Sequence, residues 1–110
     1  MMMRVASLIA TSLLLAGTAW ARPLDIYFID VEGGQATLIV TPDRQSLLID
    51  AGYGGRGGRD AERILTAARD AHIDRIDYLL VTHFHNDHVG GVPDLVERIP
   101  VGTFIDYGNP

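Results

Sequence analysis

The feature that most constrains this chain is a short stretch, Thr82–Gly91, that is rich in metal-binding side chains. Imidazole and carboxylate groups are the ligands that zinc and similar divalent metals bind in proteins. Buried imidazoles and carboxylates are also costly unless they are paired or bound to a metal, so packing alone does not explain such a cluster. The stretch therefore predicts a metal site with four candidate ligands: His83, His85, Asp87 and His88.

The neighbouring residues predict that these ligands lie on a turn between a strand and a helix. The apolar run Tyr78–Val81 predicts a strand that ends near His83. A glycine pair follows, and then a short helix, Pro93–Ile99, with proline suitably at its start. The four ligand side chains can therefore converge on one point. The remaining histidine, His72, has no such neighbours and is expected to have no metal role.

The rest of the chain predicts a sheet covered by helices. Three strand candidates with short connections suggest an antiparallel meander, and a last strand is expected near the end: Leu24–Ile29, Ala36–Thr41, Ser46–Ile49 and Val101–Ile105. Between them, Asp60–Ala71 predicts a helix, because its apolar residues recur at helical spacing on one face. The alternation of strands and helices indicates an α/β (α+β) arrangement.

The motif His83-x-His85-x-Asp87-His88 resembles the signature of the metallo-β-lactamase superfamily. Two upstream segments, Phe28–Ile39 and Leu47–Gly52, resemble the opening strands of the same fold. The resemblance covers everything after the extreme N-terminus. It implies the first half of an αββα sandwich. We expect the sequence to be truncated relative to a complete domain.

The resemblance also implies how the ligands are shared between two metals. His83 and His85 would join a third histidine around one metal, and Asp87 and His88 would bind a second one with further late ligands. No histidine follows His88, so those late ligands are expected beyond residue 110. For Asp50 the residues alone allow turn capping. The resemblance implies instead that Asp50 supports the metal turn through hydrogen bonds without binding the ion.

The chemistry implied by the resemblance is hydrolysis. A complete domain would hold two zinc ions, with iron or manganese as alternatives. Such a metal lowers the pKa of its bound water to around 7, and the resulting hydroxide would attack an ester, amide or phosphodiester. Asp87 would orient that hydroxide and is the candidate catalytic residue. In the third motif position redox di-iron members carry a glutamate, and here His85 favours a hydrolase.

Three functional hypotheses stay open. The first is an exported metal-dependent hydrolase acting on a small molecule or a phosphodiester. The second is a DNA-processing phosphodiesterase, because Phe28–Ala36 is similar to the opening of the extracytoplasmic domain of ComEC-type DNA-uptake proteins, although Glu32–Ala36 departs from it. The third is a non-catalytic half-domain. A net charge of −5 argues against stable nucleic-acid binding. The sequence does not indicate the oligomeric state.

Residues 1–21 predict a secretory signal peptide. Arg4 supplies a positive start, Val5–Ala16 is nearly all apolar, and Ala19-Trp20-Ala21 fits the cleavage pattern, so the mature domain would be residues 22–110. The alternative is an uncleaved anchor, but the apolar run is shorter than the ~20 residues a spanning helix needs. We therefore expect a periplasmic or secreted protein with no membrane segment after cleavage. The absence of cysteine suits an oxidising compartment.

The glycine-rich segment Tyr53–Arg59 fits neither a P-loop nor a dinucleotide-binding fingerprint. We interpret it as a flexible loop at the rim of the site. Arg56 or Arg59 in this loop is an open candidate for contact with an anionic substrate.

Overall fold

The protein is described here by a computed structural model that covers residues 20–109. The predicted signal peptide lies outside the described residues except for its last two positions. The chain forms one five-stranded sheet with helices, in the order β1 (Asp25–Phe28), β2 (Thr37–Val40), β3 (Ser46–Ile49), α1 (Arg59–Asp70), β4 (Ile76–Leu80), α2 (Asn86–Val89), α3 (Val92–Val96) and β5 (Val101–Ile105). A single 3₁₀ turn, Arg56–Gly58, leads into α1.

The sheet is mixed, and its strands lie side by side in chain order. β1, β2 and β3 form the predicted antiparallel meander, whereas β3, β4 and β5 run parallel. Parallel neighbours need a crossover connection, and α1 and α3 occupy those crossovers. The predicted α/β arrangement is therefore confirmed. The carboxyl ends of β3 and β4 consequently lie next to each other at one edge of the sheet.

The hydrophobic core lies between the helices and one face of the sheet. Leu38, Leu48 and Leu79 are in register on adjacent strands and are fully buried. Ile64 of α1 and Leu95 of α3 are fully buried in the same cluster. Successive strand residues point to opposite faces, and the other face carries exposed apolar side chains, among them Ile26, Phe28, Tyr78 and Ile105. The core is thus one-sided within the described residues.

Three elements differ from the sequence predictions by more than one residue. β4 begins at Ile76, two residues earlier than expected, because the strand-unfavourable Asp77 is compensated there: its carboxylate accepts a hydrogen bond from the Ser46 backbone N–H at 2.9 Å. The helix predicted over Pro93–Ile99 is shorter and ends at Val96. The short helix α2 was not predicted at all, since its four residues carry no helical period.

No helix within residues 20–109 combines the length and the apolar character that a membrane crossing requires.

Replacing Leu48 with alanine should lower the free energy of unfolding of the natural protein by about 2–5 kcal/mol, because the lost atoms leave a cavity in the core. Leu24 is 55% exposed, so the same substitution there should cost less than about 0.5 kcal/mol. Urea unfolding followed by circular dichroism measures both variants. Equal losses for L48A and L24A would contradict a core on this face of the sheet.

Candidate metal centre

The candidate ligands lie where the chain leaves β4 and turns into α2. β4 ends at Leu80, and the Val81 N–H still donates to the Ile105 carbonyl at 2.8 Å. His85 keeps an extended backbone and directly precedes α2, which therefore carries Asp87 and His88. The predicted turn between a strand and a helix is thus present, although the helix that follows it is α2 rather than the one beginning at Pro93.

Three of the four candidate ligands bring donor atoms together. One ligand atom each from His83, His85 and Asp87 lies within 4.8 Å of the other two. The His83 and His85 rings meet edge to face, with their centroids 4.6 Å apart. All three side chains are exposed or half-buried, so they are open to solvent on the outer side. These side chains form a solvent-accessible set of nitrogen and oxygen donors at the sheet edge.

The fourth candidate, His88, lies beside this cluster with its two ring nitrogens facing different partners. Nδ1 is 2.8 Å from the Asp50 Oδ2 atom, and Nε2 is 3.5 Å from the Asp87 Oδ2 atom. Since a buried carboxylate accepts hydrogen bonds, Asp50 selects the tautomer of His88 that carries a proton on Nδ1. The free Nε2 atom then points toward Asp87, on the same side as the other donors.

Asp50 is fully buried and accepts three hydrogen bonds. Its Oδ1 atom accepts from the Thr82 backbone N–H at 2.8 Å, and its Oδ2 atom accepts from the Thr82 hydroxyl at 2.7 Å and from His88. The Thr82 hydroxyl oxygen is also 3.0 Å from Nδ1 of His83. Asp50 therefore sits beneath the turn and contacts both of its ends, which is the geometry that the supporting role requires.

The backbone at Asp50 is bent sharply to reach this position. Its φ is 60°, in the left-handed region that aspartate tolerates better than most residues. The Asp50 N–H still donates to the Leu80 carbonyl at 2.8 Å, which continues the ladder between β3 and β4. The end of β3 is thus fixed against the end of β4 before the side-chain contacts are considered.

The donor set fits a divalent metal. Zinc binds imidazole nitrogen and carboxylate oxygen at about 2.0–2.2 Å, which places two ligand atoms of one ion roughly 3–4 Å apart. Donor atoms within 4.8 Å reach that spacing through small side-chain rotations. Ligating histidines are typically oriented by a hydrogen bond from their other ring nitrogen, as the Asp50 and Thr82 contacts do here. Among the described residues this is the one such cluster, and His72 is not in it.

The loop Tyr53–Arg59 contributes a buried polar contact that the sequence reasoning missed. Asp60 is almost fully buried, and its carboxylate accepts hydrogen bonds from the Tyr53 N–H at 2.8 Å and from the Arg59 side chain at 2.7 Å. The hydrogen bond to Asp60 raises the pKa of Arg59 above its usual value. The only sequence signal was an acidic residue in the first turn of a helix, which usually indicates favourable helix-dipole interactions alone.

The two arginines of this loop have partners within the chain. Arg59 also forms an ion pair with Glu32, and the Arg56 guanidinium lies 4.8 Å from the centre of the Tyr53 ring. Arg59 is consequently committed to two carboxylates. Of the two candidates for contact with an anionic substrate, only Arg56 lacks an ion pair among the described residues.

A family model described as the metallo-beta-lactamase superfamily matches residues 29–109. This chain belongs to the metallo-β-lactamase superfamily. The match spans β2 to β5 and includes the whole ligand turn, so the sequence resemblance is confirmed and the five-stranded unit is part of that fold.

Relatives among characterised proteins include enzymes of this superfamily. The chain is 41% identical over 77 residues to the lactamase-like protein aptB of Emericella nidulans, and this match covers 69% of this chain and 24% of aptB. It is 42% identical over 67 residues to an atrochrysone carboxyl ACP thioesterase of Aspergillus terreus, and this match covers 61% of this chain and 20% of the thioesterase. A hydroxyacylglutathione hydrolase of Vibrio parahaemolyticus is 37% identical over 68 residues, and this match covers 62% of this chain and 24% of the hydrolase. The matched part is thus a fifth to a quarter of the length of each relative.

Replacing Asp50 with asparagine should weaken zinc binding by the natural protein about 10–100-fold, the usual cost of losing a residue that orients a ligand. The asparagine amide keeps the size of the side chain but presents donor hydrogens to Thr82 and His88. Competition with a chromophoric chelator measures the affinity. The matched control is D43N in the exposed β2–β3 connection. A D50N protein that binds zinc as well as D43N would contradict the supporting role.

Proposed function

We propose that the natural protein containing this chain is a metal-dependent hydrolase that cleaves the acyl bond of an ester or thioester. The observation that carries the proposal is the convergence of donor atoms from His83, His85 and Asp87 above a fully buried Asp50. Membership of a superfamily of metallo-hydrolases supports the reaction class. Because the matched segment is a fifth to a quarter of each relative's length, the activity is assigned to the natural protein and not to this segment alone.

Each side chain has a distinct part in the proposed reaction. A divalent metal held by these ligands would supply a water activated at neutral pH and would polarise the scissile carbonyl. His83 and His85 hold one side of the site. The Asp87 carboxylate lies near the ligand atoms of both histidines and 3.5 Å from the Nε2 atom of His88, where it would orient a water and accept its proton. Asp50 and Thr82 keep the rings in their ligating orientation.

The names of two relatives support the proposed substrate class. One is named a thioesterase and another a hydroxyacylglutathione hydrolase, and both names describe the release of an acyl group from a carrier. An acyl substrate is therefore favoured over the amide and phosphodiester alternatives. The ComEC-like phosphodiesterase and the non-catalytic half-domain remain as outcomes that the activity test distinguishes.

The proposal also includes zinc as the bound metal and export of the protein to the periplasm or beyond. Nitrogen and oxygen donors of this kind suit zinc, with iron or manganese as alternatives. Export rests on the signal-like composition of residues 1–21, and it predicts that the mature protein begins at Arg22. Intact mass of the natural protein measures its amino terminus: a mature form that retains residues 1–21 would contradict cleavage of the signal.

Replacing Asp87 with alanine should lower kcat/KM for an acyl thioester about 10²–10⁴-fold, the usual contribution of a group that handles the proton of the attacking water. Removal of the metal by a chelator should abolish activity, and added zinc should restore it. The control is D74A, an exposed aspartate before β4, at the end of the sheet opposite the ligand turn.

The assay uses the natural protein with four substrates: an acyl thioester, an ester, a phosphodiester and single-stranded DNA. Thioester or ester turnover that is lost in D87A and kept in D74A is the expected result. Cleavage of the phosphodiester or DNA alone would favour the ComEC-like alternative. Bound zinc at less than stoichiometric amounts, together with no turnover of any substrate, would favour the non-catalytic half-domain and overturn the proposal.

A further inference from the structure

The helix that carries Asp87 is too short to hold its own position. α2 has four residues, and an isolated helix of one turn is unstable in water. Its main chain is instead held by the two loops that flank it. The Gln35 N–H donates to the Asp87 carbonyl at 3.0 Å, and the Ala51 N–H donates to the His88 carbonyl at 2.8 Å. The placement of α2 is therefore decided by how closely these loops approach.

The Gln35 backbone links α2 to the loop after β3 as well. Its N–H reaches Asp87, and its carbonyl accepts a hydrogen bond from the Gly52 N–H at 2.9 Å. The side chain of Gln35 points away from Asp87 and donates a hydrogen bond to the Thr37 hydroxyl at 2.8 Å. The contact with Asp87 is thus made by the main chain and does not depend on the Gln35 side chain.

Gly34 is the residue that permits this approach. A Cβ atom at position 34 would lie 2.6 Å from the Asp87 carbonyl oxygen, closer than real Cβ contacts occur. The obstructing atom belongs to the backbone, so a side-chain rotation cannot relieve the clash. Val31 and Tyr53 each supply a further atom at 3.4 Å from the same point, which leaves little room for the loop to shift.

The neighbouring glycine has a different requirement. Gly33 has φ of 95°, a conformation that favours glycine, but a Cβ atom there would meet nothing within 4 Å. Gly34 is not in that left-handed group. Gly33 is therefore needed for its backbone conformation, whereas Gly34 is needed for the space beside Asp87.

We propose that Gly34 is a positioning residue for Asp87. Because Gly34 lacks a Cβ atom, the β1–β2 loop can approach closely enough for the Gln35 N–H to bind the Asp87 carbonyl. This contact sets the distance of the Asp87 carboxylate from His83 and His85. The inference rests on the proposed function, because it treats the Asp87 carboxylate as a ligand of the proposed metal. It concerns a residue in a loop that lies far from the ligand motif in sequence.

The test compares zinc affinity in the natural protein and in G34A, with G33A and Q35A as controls. Chelator competition at low temperature gives the dissociation constants, and circular dichroism of the metal-free proteins gives the folded fraction. G34A should bind zinc about 10–100-fold more weakly than the parent protein. G33A strains the loop without approaching Asp87, and Q35A removes only the side chain, so both should stay within about threefold.

A double-mutant cycle separates positioning from a general loss of structure. If Gly34 acts through Asp87, adding G34A to a D87A protein should cause no further loss of zinc affinity. Equal losses in the presence and absence of Asp87 would overturn the proposal, and so would a G34A protein that binds zinc like G33A. A G34A protein that fails to fold while G33A folds would also overturn it, because Gly34 would then serve the fold.

These outcomes are distinct from failure of the proposed function. A parent protein that binds no zinc would remove the metal site itself. A parent protein that binds zinc and hydrolyses the thioester, together with an unaffected G34A, would overturn only the role of Gly34.

Discussion

The buried carboxylate of Asp50 is the interaction on which the candidate site depends. A charged group removed from water is costly unless it is fully hydrogen-bonded, and Asp50 meets this requirement with three donors. Two come from Thr82 and one from His88, which stand at the two ends of the ligand stretch. Because loss of any donor would leave a buried acceptor unsatisfied, the turn is held in one conformation.

The parallel pairing of β3 and β4 is what makes this contact possible. Asp50 follows β3 and Thr82 follows β4 closely, and parallel neighbours bring their carboxyl ends to the same edge. The crossover helix α1 stands between the two strands in sequence and covers the core face of the sheet. The packing of Leu48 and Leu79 against α1 and α3 therefore positions Asp50 beneath the metal turn, and links the core to the proposed chemistry.

Charged contacts also hold the loops that surround the candidate metal site. Arg59 joins Glu32, in the loop after β1, to Asp60 at the start of α1, and Asp60 in turn binds the Tyr53 backbone. Both loops that hold α2 are thereby tied to one helix end. A site formed by loops normally loses precision, but here the loops are held by the partly buried Arg59–Asp60 ion pair, by the more exposed Arg59–Glu32 pair and by backbone hydrogen bonds. Such preorganisation is what the proposed handling of a proton by Asp87 would require.

Much of this arrangement was predictable. The ligand cluster His83–His88, the strand Ser46–Ile49 and the apolar face of α1 are local patterns, so their spacing carries the information. The motif was specific enough to indicate the superfamily, which the family match confirms. The supporting role of Asp50 was predicted through the resemblance alone and stays a prediction. The early start of β4 and the presence of α2 were missed, because their stability comes from Ser46 and from the flanking loops rather than from their own residues.

The sequence by itself determined the donor chemistry and the strand that precedes it, since four imidazole and carboxylate side chains after an apolar strand can be recognised without any long-range contact. Only the tertiary structure decided which ring nitrogen of His88 faces Asp87, why Asp60 is buried, and that a Cβ atom at position 34 would meet the Asp87 carbonyl. Those features depend on residues far apart in the chain that meet through backbone hydrogen bonds and close packing, which leave no periodic signal in a single sequence.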